Sequence, residues 1–168
     1  SRTSGLSWAT AGRDAVKLQQ LQFKHSVAIE KILADSEDEE ALDEITRRAK
    51  VVISTAGPFH KYSDKLVGSC VKNSCHYVDI TGETFWVRQL IDKYHEKAAQ
   101  KGIRIIPMCG YDSLPSDLGT FFAVKELGSP VSNVEAFHTG DGGFSGGTIE
   151  TMFSMGELNL GDQLRDTF

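Results

Sequence analysis

Between Leu6 and Leu127, short apolar runs and helix-patterned stretches alternate five times. No other feature narrows the fold as much, because this alternation marks βαβ units joined into a parallel sheet. The runs predict strands at 6–11, 27–34, 51–56, 76–80 and 103–108. The stretches between them predict helices at 15–23, from Ser36 to about Arg48, and at 63–73, 84–101 and 113–127. The expected class is α/β, a Rossmann-like doubly wound parallel sheet. The pattern changes at Gly128-Ser129-Pro130. Beyond it, residues 131–139 alternate like a strand, Gly140 to Gly147 hold five glycines in eight residues, and 149–155 begin a helix. This predicts a domain over 1–129 and the start of a second α/β domain over 130–168.

The run Val51-Val52-Ile53 carries no charge and is β-branched throughout. It predicts a strand buried on both faces, as central parallel strands are. Ala56-Gly57-Pro58 then ends it. Small residues let another body approach the backbone, and proline cannot continue a central strand. Ligands of open α/β sheets bind outside the carboxyl ends of the strands. Ala56, Gly57, Pro58 and Phe59 are therefore candidate ligand contacts, with an ordinary strand-to-helix turn as the alternative.

Helix signals are local and specific. Ser36 and Glu39 have the spacing of a capping box. Leu42, Ile45 and Ala49 form one apolar stripe. Leu66, Val67, Cys70 and Val71 form a second, and Val87, Leu90, Ile91, Tyr94 and Ala98 a third, which Gly102 ends. Ser113 is a candidate cap, with Pro115 tolerated in the first turn.

Composition excludes several classes. The 168 residues are 40% apolar and 24% charged, which fits a globular protein. A net charge of −5 without a basic run argues against nucleic acid or anionic membrane as a partner. No apolar run reaches the roughly 18 residues of a membrane span. Cys70, Cys75 and Cys109 have no metal-ligand spacing, so no metal site is expected. They read as reduced thiols in a cytoplasmic protein.

Several residues could carry chemistry. Gly12 and Arg13 follow the first predicted strand, where dinucleotide folds read the adenosine ribose. An arginine there suits the 2′-phosphate of NADP, the alternative being a solvated arginine at a helix start. Asp79, Glu83 and Asp112 stand at or just past the ends of successive strands, as general acids or bases sharing a cleft with the Ala56–Pro58 loop; for Asp112, helix capping is the alternative. Among the histidines, His60 alone lies in a candidate loop. Ser113 lacks the surroundings of a hydrolase nucleophile, and Cys109 reads as a buried thiol.

Three segments, AGPF at 56–59, HYVDITGE at 76–83 and CGYDSLPSDLG at 109–119, together resemble the saccharopine dehydrogenase-like oxidoreductases. AGR at 11–13 and GFSGGTIET at 143–151 add to the likeness. The resemblance covers residues 8 to about 155. It implies an NADP- or NAD-binding Rossmann domain followed by an α/β domain, and hydride transfer to or from a small-molecule substrate. Relatives that act on lipid-like chains extend the expected class to lipid-like substrates. Two departures matter. The glycine-rich phosphate loop and its strand are absent before Leu6, and Ser63-Asp64 replaces a glycine common in relatives. The chain therefore reads as a truncated form of an NADP-preferring oxidoreductase, inactive alone, with a non-catalytic binding domain as the rival reading. The vacant strand position also leads us to expect self-association.

Overall fold

The computed structural model describes residues 6–25, 29–139, 141–143 and 145–158. The glycine-run residues Gly140 and Phe144, the strand expectation at 27–28 and the chain end from 159 lie outside them. Parallel strands β1 (Ala9–Gly12) and β2 (Glu30–Leu33) pair in one sheet. They are joined by α1 (Ala15–His25). A second parallel sheet has the order β3-β4-β5, from Val51–Ser54, His76–Asp79 and Ile105–Ile106. Its register sets Ser54 beside Asp79 and Tyr77 beside Ile105. The mixture of parallel strands and crossover helices is the expected α/β class.

The second sheet is the centre of the molecule. Strand alternation sends Val52, Ser54, Tyr77 and Asp79 to one face. There they meet α4 (Asp64–Lys72) and α5 (Thr84–Lys101). Val67, Cys70, Cys75, Tyr77, Phe85, Trp86, Leu90, Tyr94 and Ile103 form one buried cluster. Burial of this size is the main favourable term in folding, at roughly 25 cal/mol per Å² of apolar surface.

The expectation that the Val51 strand is buried on both faces needs correction. Val51 is 47% and Ile53 68% exposed. Among the described residues β3 has one paired neighbour, β4, and α4 and α5 cover the opposite face, which leaves the Val51 and Ile53 side chains exposed.

Helix α2 (Glu39–Arg48) also differs from its sequence signal. Its cap is Asp38, whose carboxylate accepts from the N–H groups of Glu40 and Ala41. Ser36 bonds to Asp35 instead, so the Ser36–Glu39 capping box does not form. A carboxylate outcompetes a hydroxyl here because it is the stronger acceptor and meets the helix dipole. The predicted helix at 63–73 is α4, preceded by one short turn, α3 (Phe59–Tyr62). α5 ends as expected at Gly102, in the left-handed conformation (φ 64). Its Ile91 is exposed rather than inward. α6 (Leu114–Leu127) starts at Ser113, whose side chain makes no capping bond.

Residues 131–139 are irregular, against the strand expected there. An alternating segment becomes a strand only where a neighbour takes up its backbone bonds, and no described strand lies beside it. α7 (Gly146–Glu157) follows, capped by Ser145, which accepts from the Thr148 N–H at 3.2 Å.

Candidate functional site

Three loops leave the carboxyl ends of β3, β4 and β5, and two buried carboxylates tie them together. Glu83 closes the loop after β4 and is fully buried. Its Oε1 accepts from the Phe59 N–H at 2.8 Å. Its Oε2 accepts from the His60 N–H at 2.9 Å and faces His60 Nδ1 at 2.6 Å. The loop after β3 is therefore held from behind by an acid 23 to 24 residues away. Glu83 is itself oriented by Thr81, whose Oγ1 accepts its N–H at 3.1 Å.

Asp79 does the same for the other two loops. Its Oδ1 accepts from the N–H groups of Thr81 at 3.0 Å and Met108 at 3.1 Å. Its Oδ2 accepts from the Tyr77 hydroxyl at 3.0 Å. Met108 stands in the left-handed region (φ 60) where its N–H meets that oxygen. Burial raises the Asp79 carboxyl above the ordinary 3.8, against the lowering effect of these donors. Burial also raises the Tyr77 phenol, with the Asp79 charge adding to the effect.

The held loop presents backbone outward. Thr55 and Ala56 are exposed and Gly57 half-buried, whereas Pro58 and Phe59 are buried. The Gly57–Pro58 peptide is cis. A Cβ on Gly57 would come within 3.2 Å of the Phe59 ring, so a larger residue would require that ring to shift by a few tenths of an ångström. Thr55, Ala56 and Gly57 are therefore the surface of the loop, and Pro58 and Phe59 its support.

At the end of β1, Arg13 is exposed. Asp14 is engaged elsewhere, its Oδ1 accepting from Val16 and Lys17 N–H at 3.0 Å to cap α1. Those bonds, the Lys17 one foremost, lower the Asp14 carboxyl. The acid beside Arg13 thus caps the helix, and the nearby Arg13 charge adds a smaller lowering of the same carboxyl.

The matching family model is the saccharopine dehydrogenase NADP-binding domain, over residues 1–106. The chain belongs to this family. Its cofactor class is NAD(P), and the exposed Arg13 and the open backbone of Thr55–Gly57 fit such a group. A saccharopine dehydrogenase-like oxidoreductase of Homo sapiens is 35% identical over 86% of the chain and 36% of its own length. A lipid droplet localized protein of Caenorhabditis elegans is 38% identical over 88% of the chain and 38% of its own length. A Mycobacterium tuberculosis protein, named as a candidate trans-acting enoyl reductase, is 39% identical over 74% of the chain. The chain thus spans under two fifths of these relatives. The L-glutamate-forming saccharopine dehydrogenase of Saccharomyces cerevisiae shares the fold, with a TM-score of 0.62 at 20% identity over 74% of this chain and 26% of that one.

Within this family fold, the expected site residues separate. Glu83 bonds to Phe59 and His60 at the end of the β3 loop, and Asp79 bonds to Thr81 and Met108 in the two other loops. Asp112 is exposed, whereas Asp79 and Glu83 are fully buried. Cys109 donates its thiol to the Ile106 and Pro107 carbonyls, and burial raises it. Sequence reasoning missed Ser154, whose Oγ lies 3.0 Å from His60 Nε2. Among the described residues no helix is long and apolar enough to cross a membrane.

Proposed function

We propose that this chain is the dinucleotide-binding part of an NADP-preferring oxidoreductase. Arg13 would meet the 2′-phosphate, and the Thr55–Gly57 backbone would meet the nicotinamide side. The observation that carries this reading is the exposed Arg13 directly after β1, its neighbouring acid already bound to α1. When bound, the dinucleotide supplies or accepts a hydride. The protein's part is to hold the loop still, which Glu83 does, and to fix the loops around it, which Asp79 does. Both carboxylates are filled by backbone donors, so we assign them to positioning. Asp112 is the exposed acid of the three and the one free to meet a substrate. A lipid-like substrate is in keeping with the lipid droplet location that the nematode relative's name gives, and a reductase role with the enoyl reductase name of the mycobacterial one.

The rival reading, a binding domain without turnover, draws support from the same filled carboxylates. Replacing Arg13 separates cofactor reading from mere solvation. In a protein carrying this segment together with a phosphate loop, Arg13→Ala is expected to weaken NADP by about 1–3 kcal/mol, the scale of a charge-assisted contact. NAD affinity should stay nearly unchanged in the same calorimetric titrations. Equal loss for both cofactors would remove Arg13 from the site.

A further inference from the structure

Helix α7 lies beyond the boundary expected near Pro130, yet it docks on the loop after β3. Its own side chains make this unusual. Ile149, Met152 and Phe153 are exposed. The inward stripe is Thr148, Thr151, Ser154 and Met155, three of them hydroxyl residues. Met155 packs against the core cluster. Thr151 Oγ1 lies 3.9 Å from where a Cβ on Gly57 would stand. Apolar burial therefore supplies little of the docking, and hydrogen bonding must supply more.

One chain of polar contacts does so. Ser154 Oγ meets His60 Nε2 at 3.0 Å, and His60 Nδ1 meets Glu83 Oε2 at 2.6 Å. Ser154 is 3% exposed. The His60 ring also packs on Phe85, with centroids 5.3 Å apart. A carboxylate can only accept, so Nδ1 carries the proton toward Glu83. In the neutral ring Nε2 then accepts, and the Ser154 hydroxyl donates. The order serine–histidine–carboxylate is that of a hydrolase triad, but the surroundings are not. Ser154 is buried in the last turn of α7, where helical N–H groups are committed to carbonyls of the preceding turn, leaving none for an oxyanion.

We infer that Ser154 is a positioning residue. Through His60 and Glu83 it fastens the polar stripe of α7 to the Ala56–Phe59 loop and makes α7 a wall of the dinucleotide site. That last phrase rests on the proposed function; the fastening does not. Buried polar contacts this short are costly to break one at a time, because each leaves a partner unsatisfied.

The test uses the whole chain without dinucleotide. Ser154→Ala removes the donor, and Ser154→Thr keeps it. Amide exchange in Gly146–Glu157 is expected to accelerate tenfold or more in the alanine variant, with β4 and α5 unchanged. The ¹⁵N resonance of His60 Nε2 should shift in the same variant. The threonine variant should restore both readouts. Unchanged α7 exchange in Ser154→Ala, an unmoved Nε2 resonance, or a threonine variant as loose as alanine would each overturn the inference. Because no readout involves NADP, failure of the Arg13 titrations leaves this result standing, and the reverse holds too.

Discussion

At the scale of single residues, Glu83 carries the most. It satisfies three donors from a loop 23 to 24 residues earlier in the chain. A buried donor left without an acceptor costs roughly 1–3 kcal/mol. Glu83→Ala is therefore expected to lower unfolding free energy by about 2–4 kcal/mol in urea titration, and Glu83→Gln by less, since an amide oxygen still accepts. Equal, small losses in both variants would show that the loop is held otherwise. Asp79 gives a pH test. Its folded pKa is raised above 3.8, chiefly by burial, so the folded chain binds this proton more tightly than the unfolded one. The sign follows: the proton's contribution to stability is present below 3.8 and is lost as pH rises from there through the raised folded value. Asparagine can keep all three contacts without a charge. The stability of Asp79→Asn relative to the native chain is thus expected to rise with pH over that window. A relative stability that falls as pH rises would contradict it. Both acids were legible in the sequence as strand-end residues. Their role was not, because it depends on backbone donors that only the folded loops bring near. Ser154 gave no signal beyond its place in a stripe of residues three and four apart; its partner lies 94 positions away.

Elements follow the sequence where their cause is local. The Gly102 stop of α5, its inward Leu90, Tyr94 and Ala98, and the α4 face of Val67, Cys70 and Val71 are as the periodicity predicts, with Ile91 the exception. Competition between neighbours decides the rest. Asp38 rather than Ser36 caps α2, and the difference is measurable. Asp38→Ala is expected to cost about 1 kcal/mol, the usual worth of a capping side chain, while Ser36→Ala changes stability by a few tenths. Thermal or urea unfolding of the two variants checks this, and the reverse order would restore the capping box. Residues 131–139 and the exposed face of β3 mark the other limit. Alternation and apolar runs report what a segment is suited to, and whether a partner strand or a covering helix is present is decided elsewhere in the fold.

At the scale of the whole fold, five strands among the described residues divide into β1-β2 and β3-β4-β5. β1 and β3 each pair on one side, and Val51 and Ile53 stand open on β3. Unpaired strand edges with apolar side chains invite pairing with other chains. The chain alone is therefore expected to self-associate, with a light-scattering mass above that of one 18.4 kDa copy; a clean monomer at all concentrations would contradict this. The family is settled by sequence likeness, and the site rests on Arg13 and the Thr55–Gly57 backbone. Mapping NADP-induced amide shifts tests that site directly, and it registers even weak binding. Perturbations are expected at Gly12, Arg13 and Thr55–Gly57, with α2 (Glu39–Arg48) silent. Perturbations confined to the glycines at 142–147, with Arg13 and Gly57 unmoved, would contradict it.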